Sequence, residues 1–279
     1  MIIKQHQEGS FQGANGLELY YQSWHPPDSG RVVLVIVHGH GGHSGIFTRM
    51  VEYLIDRNYI IYSFDLRGHG RSPGQRGYIN SWAEYRADIA AFLQFIKTKE
   101  SALLPWFLIG QSMGGIIALD YLLKATHQLS GAILISPALG LSVSPVKLLI
   151  GKMLSQIRPR FALNAGIDMS TGSRDRAVVA ANVRDPLRHR QGTARLATEL
   201  LKTIDWVNTH ADQLQVPLLI LHGGADEVTP LSSSQIFFKR LTVADKEMHE
   251  YPDSYHELHN DLNYLEVLAD MNDWIERHL

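Results

Sequence analysis

The chain has no cysteine. That excludes a disulfide framework, a thiol nucleophile and a thiolate metal site, and it suits a reducing compartment. Neither charge is in excess: 26 Lys and Arg stand against 28 Asp and Glu, a formal net charge of -2. The electrostatic footprint of a nucleic-acid binder is missing, so no nucleic-acid partner is expected. No stretch is long and apolar enough to cross a bilayer, and the opening MIIKQHQEGS lacks the apolar core of a secretory signal. A cytoplasmic protein, at most peripheral to a membrane, is the expectation. Internal repeats and low-complexity tracts are absent too. What is present is 279 residues with 45% hydrophobic content, enough for one large core or a core with a small cap.

Apolar runs near Val32, Tyr59, Trp106, Gly131, Val216 and Glu247 alternate with helical patterns at 46–57, 82–99, 113–126, 232–241 and 262–278. Such alternation predicts the α/β class, a mostly parallel sheet covered on both faces. Ahead of it, residues 9–13 and 17–23 read as two strands joined by Asn15-Gly16, a strong hairpin signal. The regularity fails beyond Leu139. This divides the chain into a core at 1–138, a cap at 139–208 and a second core part at 209–279.

The cap opens at Pro145 with Val146, Leu149, Ile150, Met153, Leu154 and Ile157 on one helical face and Lys147, Lys152 and Arg158 on the other. A second helical stretch, 193–207, brings the chain back. The cap holds eleven basic and five acidic residues, a charge of +6, which leaves the core at -8. The apolar face is expected to pack on the core and line the pocket, beneath a solvated charged surface. Docking of the basic lid on anionic lipid is the second reading, and both hold if the lid opens.

Chemistry concentrates in the segment from Trp106 to Leu123, where an apolar run ends in Gly110-Gln111-Ser112-Met113-Gly114 and an apolar helical run follows at once. That is a strand, a sharp turn and a helix, the arrangement that lifts a serine hydroxyl from the end of a sheet. The turn strains the serine backbone, so the flanking positions must be small, and Gly110, Gly114 and Gly115 are. Serine needs a neutral imidazole to take its proton, and the imidazole needs a carboxylate to fix its tautomer. Both follow in order. A run from Val216 to His222 breaks into Gly223-Gly224 with Asp226 just beyond it, and a short run near Glu247–Tyr251 leads through a Pro-Asp-Ser turn to His256. Glu227, Asp205, Asp253 and His259 are the rivals, each worse placed. An earlier β-branched run, Arg31 to Val37, enters the glycine-rich loop His38-Gly39-His40-Gly41-Gly42. Such a loop can present backbone N–H groups to an oxyanion. The donors expected are His40 and Met113. A metal cluster of His38, His40 and His43 is the weaker reading, since no carboxylate or cysteine completes it.

The blocks HGHGGHSGIF, FDLRGHGRSPGQRGYI, GQSMGG, HGGADEVTP and YHELHND together resemble the monoacylglycerol lipase and lysophospholipase group of α/β-hydrolases. His38 to Ser44 matches the group's His-Gly-x-Gly-x-His-Ser pattern, and Asp65 to Ser72 is also close. The resemblance implies the α/β-hydrolase fold, with a mostly parallel eight-stranded sheet, helices on both faces and an inserted helical cap. It gives Ser112, Asp226 and His256 triad roles and the amides of His40 and Met113 the oxyanion role. It implies a small amphiphilic lipid ester as partner, a monoacylglycerol by preference, and neither metal nor organic cofactor. A lysophospholipase, a broader carboxylesterase or an acyltransferase would use the same site. A halide- or epoxide-cleaving enzyme would need an aspartate at Ser112, and a peptidase would need acidic pocket residues for the substrate's amine. A non-catalytic ligand-binding protein on this scaffold would be expected to lose a triad member, and none is lost.

Overall fold

Asn15 and Gly16 adopt left-handed backbone, φ 60° and 70°, and fold β1 (Gln5–Gln12) back on β2 (Glu18–His25) as an antiparallel pair. In the computed structural model this hairpin is the edge of the main sheet. The structure describes residues 5–125, 128–141, 145–164, 166 and 168–279, without the side chains of 145–148 and 169. Thr126, the expected end of the third helix, lies outside the described residues, as do the side chains of Val146 and Lys147.

Next come β3 (Val32–Val37), α1 (Thr48–Ile55), β4 (Tyr59–Phe64), α2 (Ala83–Lys97), β5 (Trp106–Gln111), α3 (Met113–Lys124) and β6 (Gly131–Ile135). Between β6 and the next core strand the chain forms α4 (Pro145–Ile157), β7 (Ala162–Asn164), α5 (Arg176–Arg184), β8 (Gln191–Thr193) and α6 (Ala194–Thr209). It returns through β9 (Leu218–Gly223), α7 (Leu231–Arg240), β10 (Lys246–Tyr251) and α8 (Tyr264–Glu276). The eight-stranded sheet runs β1-β2-β4-β3-β5-β6-β9-β10, antiparallel across its first two pairings and parallel across the rest. Strands β3, β4, β5, β6 and β9 are buried along their whole length, because helices cover both faces. Alternate residues of β3 divide between two cores. Val33, Val35 and Val37 join Phe92 of α2 and Ile116 of α3, whereas Val32, Leu34 and Ile36 join Leu54 of α1 and Trp274 of α8.

The α4 helix corrects an expectation. Leu149, Ile150, Met153 and Ile157 are exposed, Leu149 by 70% and Ile157 by 68%, and Leu154 is only half-buried. The core face is already taken by α6, whose Leu196, Ile204 and Val207 are buried, and α4 lies against α6 as an outer layer. The helix α5 and the short antiparallel ribbon of β7 and β8 have no counterpart in the sequence reading.

Beneath the loop after β4, Arg67 donates two hydrogen bonds to the fully buried Asp88 carboxylate, at 2.6 and 2.7 Å, and pairs with Glu84 at 3.2 Å. Replacing Arg67 leaves a buried carboxylate without its partner. Arg67→Met is expected to cost about 3–5 kcal/mol, read as a lower urea midpoint. A shift near zero would mean that the pair does not hold this loop.

Candidate active site

Ser112 sits between β5 and α3 at φ 55° and ψ -121°, a conformation an L-residue adopts only under constraint. Three backbone bonds supply that constraint. Its N–H donates to the Ile135 carbonyl at 3.0 Å, and its carbonyl accepts from Gly115 and Ala138 at 3.0 and 3.1 Å. A Cβ on Gly114 would lie 2.2 Å from the Val37 carbonyl oxygen, and one on Gly110 would lie 2.7 Å from Gly115 Cα. The turn can therefore close against β3 only with glycine at both positions.

Asp226 follows β9 with its side chain fully buried. Its Oδ1 accepts the amides of Val228 and Thr229 at 2.8 and 2.9 Å, and its Oδ2 accepts the Thr229 hydroxyl at 2.8 Å. His256 Nδ1 donates to the same Oδ2 at 2.7 Å. A carboxylate can only accept here, so the His256 proton sits on Nδ1 and leaves Nε2 bare. A second imidazole stands on the far side. His222 Nε2 donates to the Thr229 carbonyl at 3.0 Å and lies 3.4 Å from Asp226 Oδ2, while its Nδ1 accepts from Ser234. Burial pushes the Asp226 carboxyl up, but the hydrogen bonds from His222 and His256 outweigh it and hold Asp226 well below the usual carboxylate range.

Ser112, His256 and His40 line one cavity of about 60 Å³, room for a few water-sized groups and too little for an acyl chain. Met113 is the first residue of α3, directly behind Ser112. Neighbouring amides are engaged: Gly39 N–H donates to Gln111 Oε1 at 3.1 Å and Gly42 N–H to the Gly39 carbonyl at 3.2 Å. The loop is fixed from behind by His38, whose Nε2 accepts the Leu66 amide at 3.0 Å and whose Nδ1 donates to Gly39 O at 2.7 Å. Asp65 accepts the amides of Ser44 and Arg71, at 2.6 and 2.7 Å, so the Asp65–Ser72 segment buttresses this loop.

The rivals fall away from this centre. Glu227, Asp205 and Asp253 are exposed. His259 is buried in a short 3-10 turn and packs on Phe47, ring centroids 4.9 Å apart. His38, His40 and His43 do not converge, since His43 turns to Asp185 at 2.7 Å. Among the described residues no group of three or more His, Cys, Asp or Glu is placed to hold a metal ion.

Several residues at the site escaped sequence reasoning. Gln111 and Thr229 lie inside the motifs, in GQSMGG and HGGADEVTP, but carry no mark of their own. Arg188, His189 and Glu257 reach the same cavity. His189 comes from the segment between α5 and β8, its N–H donating to Gly41 O at 3.2 Å, and its ring centroid lies 4.6 Å from His69 and 5.3 Å from His40. No spacing rule links residues 40, 69 and 189, so only folding brings them together. Burial keeps these rings neutral, pushing His40 down to about 4, His189 to about 3 and His69 well below the ordinary histidine value.

Each of these bases is neutral in the folded chain and titrates normally once unfolded. Stability is therefore complete above the unfolded value of 6.5 and declines as pH falls from there toward about 3 for His189. The urea midpoint should drop across this window. His189→Asn should flatten the slope, and an unchanged slope would show that His189 does not contribute to it.

Comparison with known proteins identifies the family. The family model described as serine aminopeptidase, S33, matches residues 28–263. A monoacylglycerol lipase of Mycolicibacterium smegmatis is 31% identical over all of both chains. A Bacillus subtilis phospholipase, YtpA, is 32% identical over 82% of this chain and 89% of its own. The crystal structure of a Paleococcus ferrophilus monoacylglycerol lipase superposes with a TM-score of 0.86 at 30% identity, covering 94% of this chain and 100% of that one. A glycine-flanked serine on a strained turn, a histidine hydrogen-bonded to a buried aspartate and a full-length match to lipid ester hydrolases converge on one conclusion: the chain belongs to the serine aminopeptidase S33 family of α/β-hydrolases and is a serine ester hydrolase of the monoacylglycerol lipase-like group.

Proposed function

We propose that the enzyme cleaves monoacylglycerols to fatty acid and glycerol through an acyl-enzyme on Ser112. The observation that carries this reading is the His256–Asp226 hydrogen bond, which leaves His256 Nε2 bare in the cavity that Ser112 lines. His256 Nε2 takes the hydroxyl proton as Ser112 Oγ attacks the ester carbonyl. The amides of His40 and Met113, the latter aided by the N-terminal dipole of α3, stabilise the oxyanion. The proton then passes to the departing glycerol oxygen. Water, deprotonated by the same imidazole, releases the fatty acid and restores Ser112. None of these steps calls for a metal or organic cofactor.

Residues 139–208 act in this reading as a cap over a core made of 1–138 and 209–279. The cap meets the core through paired charges: Arg174 with Asp261, Arg188 with Glu257, and Asp175 and Asp185 with Arg49 and His43. Its outer surface carries the exposed apolar residues of α4 beside exposed Lys152 and Arg158. That combination suits docking on a lipid aggregate, with cap movement admitting an acyl chain the small cavity cannot hold. Of the two carboxylates on the cavity wall, the buried Glu257 is already paired with Arg188 and Asp168 is exposed at the rim, which makes a buried site for a peptide amine a poorer fit. A lysophospholipid is the second reading, favoured by the phospholipase relative and the basic cap.

The test is hydrolysis of one acyl chain presented as monoacylglycerol, lysophosphatidylcholine, triacylglycerol and a short p-nitrophenyl ester. Monoacylglycerol should be preferred, and a lysophospholipid preference would replace the reading with its rival. Ser112→Ala should lower turnover by about 10⁴-fold or more with an unchanged urea midpoint, and near-normal activity would remove Ser112 from its role. Reversing Lys152 and Arg158 to Glu should weaken binding to anionic vesicles in a salt-sensitive way. Unaltered binding would deny the cap its membrane role.

A further inference from the structure

Arg188 lies on the cap segment between α5 and β8, and its side chain is 10% exposed. Its Nη2 donates to Glu257 Oε1, but its Nε and Nη1 are buried without an acceptor. The residue lines the same cavity as Ser112 and His256. Beside it His189 accepts the Gln191 amide on Nδ1 at 3.2 Å, so the His189 proton sits on Nε2, and that nitrogen is also buried without a partner. A buried donor left unmet is costly, so a cavity wall that gathers several is made for a group that accepts hydrogen bonds. An acyl chain would leave every one of them unmet.

The charges at the wall narrow the ligand class further. Arg188 is balanced by Glu257, whose other oxygen accepts from Asn182 at 3.1 Å, and Arg190 and Asp168 add one charge of each sign. The wall is electrically neutral and includes a carboxylate. A phosphate placed there would face Glu257 with no surplus positive charge to compensate, whereas hydroxyl groups can accept from Arg188 and His189 and still donate to a carboxylate or a bare imidazole nitrogen.

We propose that Arg188, presented by the cap and held in place by Glu257, forms with His189 the subsite for the departing alcohol, and that this subsite selects an uncharged, hydroxyl-bearing alcohol over a phosphorylated or purely apolar one. The proposal rests on the ester hydrolase reading above and deepens it by assigning head-group choice to named residues. It also makes the cap part of the specificity machinery, because Arg188 and His189 both come from the cap and add their donors to the one that neutral His40 supplies from the core.

The experiment compares kcat/KM on three esters of one acyl chain: 1-monoacylglycerol, the ethyl ester and 1-acyl-glycerol-3-phosphate. The wild type should prefer the monoacylglycerol to both others. Arg188→Lys keeps a positive charge beside Glu257 but lacks the planar set of donors. It should cut the monoacylglycerol-to-ethyl-ester ratio by about ten- to a hundred-fold. The pair Arg188→Met with Glu257→Gln removes both charges together, so no bare carboxylate is left to unfold the chain, and it should cut the ratio equally. A ratio that survives both changes overturns the proposal while leaving the monoacylglycerol reading intact. A wild-type preference for the phosphorylated ester that Arg188→Lys abolishes overturns the neutral-alcohol assignment. Absence of hydrolysis of all three esters by the wild type is the separate result that removes the proposed function itself.

Discussion

The strained backbone at Ser112 is the constraint on which the site depends. A positive φ at a serine persists only where its surroundings hold it, and three backbone bonds together with the seat of Gly114 against the Val37 carbonyl do so. The same contact sets the separation of α3 from β3. It brings the loop after β3 alongside the first turn of α3, so that His40 and Ser112 line one cavity. The placement of Ser112, of the glycine-rich loop and of the α3 N-terminus thus follows from one close approach of backbone to backbone.

Around that centre the polar groups form a supporting shell in which few have freedom. His38 is bonded on both ring nitrogens, Gln111 caps the Gly39 amide, and Asp65 ties Ser44 to Arg71. The Asp226 carboxylate accepts from two amides, a hydroxyl and His256, with His222 close by on its other side. Such a shell fixes dipoles before substrate arrives, which is how an electrostatic site avoids reorganising during reaction. The buried histidines around it fill space as neutral rings, without the cost of a buried charge.

The segment between β6 and β9 reverses the simplest view of an amphipathic lid. Its apolar α4 face looks outward, while Arg188, His189 and Arg190 line the cavity that Ser112 also lines. Since α6 already covers the core, the apolar face of α4 is left exposed and the inner surface of the segment is polar. The cavity that this inner surface lines is small, about 60 Å³.

Local rules were enough for much of this. Strand and helix periods, the glycines about Ser112, the Asn15-Gly16 turn and the strand-end positions of Asp226 and His256 are all legible in sequence, because each depends on neighbours a few residues away. The order of the eight strands follows from alternation only in outline; element ends are displaced by a residue or two where caps and 3-10 turns intervene, as at Ser44–Phe47 before α1, and β1 begins four residues earlier than expected, at Gln5. Tertiary structure alone decided which face of α4 is covered, because periodicity reports that a face is apolar and not what lies opposite it. Tertiary structure alone also brought His189 to His40 and His69, and Arg188 to Glu257, since those contacts join residues 69 to 149 positions apart in the chain. Spacing along a sequence carries no trace of such meetings; they exist only once the segment between β6 and β9 is folded against the rest of the chain.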